Sequence, residues 1–199
     1  MPATVDLTET QVFTALRAVL RAILPTSVEV IRGQTNRVPP PAVPDYVVMI
    51  SNGRLRLSTN LETWDQTDPA PTFISALIAT QATIQCDVHG PNGADNAQVM
   101  ATLLRSGYAC DLFAAQGSPV RPLYVVDPKQ MPFADGEQQY EDRWTVDVVL
   151  QLNPTVHAPQ DFANTLTIVT LEVETQLPVD LVGQLDWSDP GQSGLQPSV

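Results

Sequence analysis

A chain of 199 residues with 43% hydrophobic residues is long enough for one well-filled core, so the default is a single domain of roughly 150 to 180 residues plus tails. A formal net charge of -12 and a pI near 4.3 exclude a nucleic-acid groove, because phosphate binding needs clustered Lys and Arg to release counterions. Two cysteines exclude a disulfide framework, no apolar run reaches the ~20 residues of a membrane span, and MPATVDLTETQ lacks a signal's basic start and apolar centre, so synthesis in a cytoplasm is expected.

Leu7, Val12, Phe13, Leu16, Val19, Leu20, Ile23 and Leu24 recur at helical spacing, with Arg17 and Arg21 one turn apart on the solvated side. Thr8 followed by Gln11 has the form of a capping box, and Pro25 ends the helix. Ser27 to Arg32 reads as a short strand. Residues 33–44 carry four prolines and read as a loop, since proline cannot donate to a central ladder. DYVVMI at 45–50 is apolar on both parities and fits an inner strand, and Ser51-Asn52-Gly53 marks a hairpin or a bulged continuation into Arg54-Leu55-Arg56-Leu57.

Residues 60–73 read as a long polar loop that exposes Trp64 and Phe73. Between Ile78 and Val88 the even positions are small or apolar and Gln81, Thr83, Gln85 and Asp87 are polar, a half-buried strand of period two. HGPNGADN is a turn, after which Asp95 and Gln98 are expected to cap a second helix that Gly107 terminates. Residues 108–132 read as irregular around a short apolar stretch. Tyr140, Asp142, Trp144, Val146, Val148, Leu150 and Leu152 then share one face of the strongest strand in the chain. A last strand is expected at 166–173, and 183–199 turns to Gly, Pro, Ser and Gln. The expectation is an α+β fold in which two main helices pack on one face of a twisted, mostly antiparallel sheet, with a single domain at 1–182 and an extended arm at 183–199.

Catalytic chemistry finds little footing. With only His89 and His157, no Ser, Cys or Thr has a sequence signature for activation, and no G-x-S-x-G elbow or phosphate-binding glycine loop occurs. Cys86 falls on the core face and reads as a small buried hydrophobe. Asp87 and His89, two apart on a strand, share a face and with Asp95 offer a weak metal constellation, so a small metal-dependent hydrolase is kept as a competing class. No cofactor is expected. The loops at 33–44 and 60–73 on a rigid sheet ask instead for a partner.

Three stretches carry a resemblance: PDYVVMISNGRLRLSTNLETWD at 44–65, IQCDVHGPNGADNAQVMATLLRSGYACD at 84–111, and DPKQMPFADGEQQYEDRWTVDVVLQLNPTVHAPQDF at 127–162. In the combination of RLSTN, C-x-x-x-G-P-N and GEQQYEDRW the chain resembles the neck or tail terminator-like proteins of tailed bacteriophages. That resemblance implies a structural virion protein without catalytic residues. It implies a ring, commonly a homohexamer, that caps the tail tube, meets tube or sheath proteins on one side and the head-side connector or stopper on the other, and lets genomic DNA pass without binding it. A neighbouring neck piece, a collar or head-completion stopper, is the alternative within the class. Cyclic symmetry requires two different complementary surfaces on each copy. The candidates are Arg54 and Arg56 against the polar face that holds Arg143, with Trp64, Phe73 and Trp187 as aromatic anchors.

Overall fold

The computed structural model describes residues 2–34, 39, 41–65, 73–131, 133–134 and 140–160. By internal contacts the chain divides into Met1–Phe162 and Ala163–Val199. The expected strand at 166–173, Trp187 and the arm at 183–199 lie outside the described residues.

Helix α1 (Glu9–Ile23) begins as its sequence predicts. Thr8 accepts from the Gln11 amide, the Gln11 side chain reaches back to the Thr8 amide, and this reciprocal cap contributes about 1 kcal/mol. Its buried residues Val12, Phe13, Ala15, Leu16, Val19 and Leu20 form one stripe. Arg32 sits over the Phe13 ring, 4.4 Å from its centroid, and pairs with Glu9 at 3.3 Å, which ties the helix to strand β2 (Glu29–Arg32). A short strand β1 (Thr4–Val5) precedes the helix.

The main sheet has the order β2, β3 (Tyr46–Arg56), β6 (Thr80–His89), β11 (Arg143–Leu152), β7 (Arg121–Val125), with β8 (Lys129–Gln130) also on β11. Only β2 and β3 run parallel; the other pairs are antiparallel. Along β6 and β11 the even-numbered residues Ala82, Ile84, Cys86, Val88, Val146, Val148, Leu150 and Leu152 are buried in one core with the helices, as the period of two predicts. Between Ser51 and Gly53 the register shifts by one residue, so Ser51-Asn52-Gly53 is the bulged continuation and not a hairpin turn.

A second, four-stranded antiparallel sheet follows the order β1, β12 (Thr155–Pro159), β5 (Phe73–Leu77), β4 (Leu61–Asp65). It is an extension of the first. β5 leads into β6 and β11 into β12 with the pairing unchanged across both interruptions, because Leu152 faces Thr80, Thr155 faces Leu77, and the Ile78 amide donates to the Pro154 carbonyl between them. β3 leads into β4 with two extra residues on its side, since Arg56 faces Thr80 and Leu61 faces Leu77, and the Leu57 amide bonds the Ala79 carbonyl. The ribbon from Phe73 to His89 would measure ~55 Å if straight. A small hairpin pairs β9 (Phe133–Ala134) with β10 (Tyr140–Glu141).

Five expectations need correction. Among the described residues a third helix joins the two expected: α2 (Gly93–Leu103) is followed by α3 (Gly107–Ala115) in the stretch read as irregular. Gly107 opens α3 and does not close α2, since Ser106 in extended conformation stands just ahead of it. Asp95 and Gln98 do not cap α2; the helix starts three residues earlier at Asn92, and the cap comes from Asp45, which accepts from the Asn92 amide at 3.0 Å and its side chain at 2.8 Å. The loop at 60–73 contains strand β4 and meets β5 at Phe73. The strong strand begins at Arg143, with Tyr140 in a separate hairpin.

Candidate functional site

Two regions gather the residues singled out from the sequence. The first is the polar end of the main sheet, where β3, β6 and β11 start or stop around the Gly90-Pro91-Asn92 turn. Asp87, on the face away from the helices, is buried and takes hydrogen bonds from Arg143, from Thr145 at 3.1 Å and from Gln85 at 2.8 Å. Asn52 extends the chain by donating to Gln85 at 3.1 Å. His89 stacks on Tyr46 with ring centroids 4.6 Å apart. A buried carboxylate is tolerated because every contact on it is a donor, one of them a guanidinium.

This arrangement leaves Asp87 little capacity as a metal ligand. Asp95 sits in the first turn of α2, and among the described residues no three His, Cys, Asp or Glu side chains come together. Cys86 is fully buried behind this network, and burial pushes its thiol far above the usual range, with the Asp87 and Asp147 carboxylates adding to the effect. Cys110 on α3 is exposed. A thiol reagent at neutral pH is therefore expected to modify one cysteine, Cys110, in the folded protein and both after denaturation. Mass spectrometry of the adducts checks it, and rapid double labelling of folded protein would contradict the burial of Cys86.

One Ser–His contact exists that the sequence did not suggest. Ser75 and His157 face each other across β5 and β12, with Oγ 2.8 Å from Nδ1. Among the described residues no carboxylate bonds the ring, and the pair lies on an open sheet face with Thr4 and Thr63 in the same row. It is a cross-strand polar pair, without the orienting group or the enclosing site that nucleophilic catalysis requires.

The second region is the four-stranded sheet. Among its described residues none is buried: Leu61 is 63% exposed, Trp64 56%, Val5 45% and Val156 40%. The alternation that buries even positions under the helices places Ile74, Ala76, Val156 and Ala158 on the continuation of the same face, in register with Val5 and Trp64. The core-type face of the ribbon thus outruns the three helices. Arg54 and Arg56 stand at the root of this overhang, opposite Ala82 and Thr80, where Arg56 is held by the Ser58 carbonyl and Asn60. Phe73 is half-buried at its far end.

Arg54, Arg56, Trp64 and Phe73 therefore belong to one end of the ribbon of paired strands. Arg143, bound to Asp87 and paired with His89 in the ladder, belongs to the other. On α1, Arg17 and Arg21 line a cleft with Thr26 and Ser27, and both arginines are exposed. No helix among the described residues is long and apolar enough to cross a membrane.

A comparison with curated proteins finds no match. The family described as phage neck terminator protein matches residues 10–177, which takes in the whole main sheet, α2, α3, all of α1 but Glu9, and the overhanging strands β4, β5 and β12, and the chain belongs to that family.

Proposed function

We propose that the protein, a structural neck component by its family, acts in the virion's neck as a closed ring of six copies that ends the tail tube and joins it to the head-side connector. The observation that carries this reading is the four-stranded sheet in which no residue of described burial is buried. Three or more strands hold together in water when one face is covered, and here the apolar face has its cover only as far as the helices reach. In a ring, a neighbouring copy or the tube supplies the rest. Trp64 and Phe73 fit the role of anchors, because aromatic side chains at the centre of an interface dominate its energy.

The charge fits the same role. A chain of net charge -12, repeated around a lumen, repels phosphate and lets the genome slide through without sticking. The test is the mass of the purified protein by native mass spectrometry together with the position of labelled chain in micrographs of broken particles. A hexamer found at the head-proximal end of free tails supports the reading. A position on the head vertex of tailless particles assigns the chain to the stopper instead, and a protein that stays monomeric at high concentration and never joins tails refutes the ring.

A further inference from the structure

Cationic side chains are scarce in this acidic chain, and most of those described are engaged within it. Arg32 pairs with Glu9, Arg105 with Asp127 and Arg143 with Asp87, while Arg56 and Arg121 donate to carbonyl oxygens. Arg17 and Arg21 differ: among the described residues neither makes an ion pair or a hydrogen bond, and both are exposed. Like charges four residues apart on a helix repel by about 0.2–0.5 kcal/mol. Arg21, in the last turn of α1, is favoured by the helix dipole, whereas Arg17, a turn earlier, gains nothing from it.

Both arginines line one cleft of about 240 Å³, whose other residues come from the turn after α1 and the start of β2. The turn adds neutral donors. The Val28 amide bonds the Pro25 carbonyl at 3.0 Å, which leaves Thr26 and Ser27 at the tip, and among the described residues no hydrogen bond uses an amide or hydroxyl of either. Val28, Val30 and Val43 give the cleft an apolar side. Glu29 is the acid in its lining, and it pairs with neither arginine. Two guanidiniums, two hydroxyls and two free amides beside valines suit a ligand that is anionic at its tips and aliphatic in its body.

From these observations we infer that the cleft between α1 and β2 binds an extended acidic segment of another protein, with carboxylates at alternate positions. The spacing carries the choice. Arg17 and Arg21 are offset by ~6 Å along the helix, and alternate side chains of an extended chain stand ~6.6 Å apart on one side, so each guanidinium meets one carboxylate. The methylenes of the same acidic side chains lie against the valines, and the turn donors serve the segment's main-chain carbonyls. A nucleic-acid backbone fits less well: it has no aliphatic part, and its run of phosphates extends past the cleft over a chain of net charge -12. The surface does not depend on the ring or on its copy number.

The test titrates the full-length chain with the capped peptide Thr-Glu-Val-Glu-Thr and follows the arginine side-chain N–H signals by NMR. The probes beside it are its neutral twin Thr-Gln-Val-Gln-Thr, inorganic phosphate and a short DNA duplex. The acidic peptide is expected to shift the signals of Arg17 and Arg21, to bind at least tenfold tighter than the neutral twin, and to weaken as salt is added. Arg17→Gln and Arg21→Gln are each expected to weaken it at least fivefold, Glu29→Gln to tighten it, and Arg54→Gln, on β3, to leave it unchanged. All four residues are exposed, so urea unfolding should show the variants folded. Equal binding of the two peptides overturns recognition by charge. Tighter binding of phosphate or of the duplex at the same arginines overturns the carboxylate assignment. Binding that survives both arginine variants, or no shift at Arg17 and Arg21, overturns the site.

Discussion

Gly90→Ala is expected to lower the stability of the folded chain by roughly 3 kcal/mol, summing backbone strain and a forced displacement of packed main chain. Gly90 sits at φ +106°, in the region L residues avoid, and a Cβ there would stand 2.2 Å from the Pro44 carbonyl oxygen and 2.6 Å from the Asp45 carboxylate. The first contact is backbone, so no rotamer relieves it. The second is the side chain that caps α2 through Asn92. The Gly90 amide also donates to the Asp142 carbonyl at 3.1 Å, which fixes the turn to the entry of β11. One methyl group therefore disturbs the start of β3, the cap of α2 and the edge of β11 together. Gly117→Ala provides the control: φ is +64° but nothing lies within 4 Å of the added carbon, and the cost is about 1 kcal/mol. Urea unfolding of both variants measures the difference, and a Gly90 variant no less stable than the Gly117 variant would show that the turn relaxes freely.

The Gly-Pro-Asn turn also shows which parts of the fold were legible in sequence. Wherever one face is buried, the period of the apolar residues read correctly: α1 with its Thr8 and Gln11 cap, the even face of β6, and the even face of β11 from Trp144 onward. What failed depends on partners distant in sequence. The cap of α2 comes from Asp45, 47 residues upstream, so local cap signals pointed to Asp95 instead. Helix α3 buries only Ala109 and Phe113, one i to i+4 pair, too little for a period to emerge. Strand β4 is exposed on both sides in Leu61, Glu62, Thr63 and Trp64, and a strand without a buried face has no alternation to read. Arg54, Arg56, Trp64 and Phe73 were legible as candidates by their types. That they share one end of the ribbon, and that Arg143 does not, follows from a register that no local pattern encodes.

The exposed overhang yields the second large effect, and it separates folding from assembly. Val5→Glu combined with Trp64→Glu, both on the overhanging core-type face, is expected to change the stability of the single chain by no more than about 0.5 kcal/mol, because neither side chain is buried in it. The same pair is expected to weaken assembly by roughly 3 kcal/mol or more, over a hundredfold in the association constant, because an aromatic anchor is lost and two carboxylates are added to copies that each already carry a net charge of -12. Thermal unfolding of dilute chain gives the first quantity and sedimentation against concentration the second. Tyr108→Glu, on α3 and 51% exposed, serves as the matched control for adding a carboxylate elsewhere, and it should leave assembly unchanged. If the double variant assembles as well as the parent chain, the overhang faces solvent in the particle and the anchors lie elsewhere. If it fails to fold, the strands of the overhang contribute to the core after all, contrary to their exposure. Only the combination of an intact fold and a lost assembly is what an apolar face extending past its helices predicts: its inner half stabilises the chain, and its outer half is kept for the next molecule.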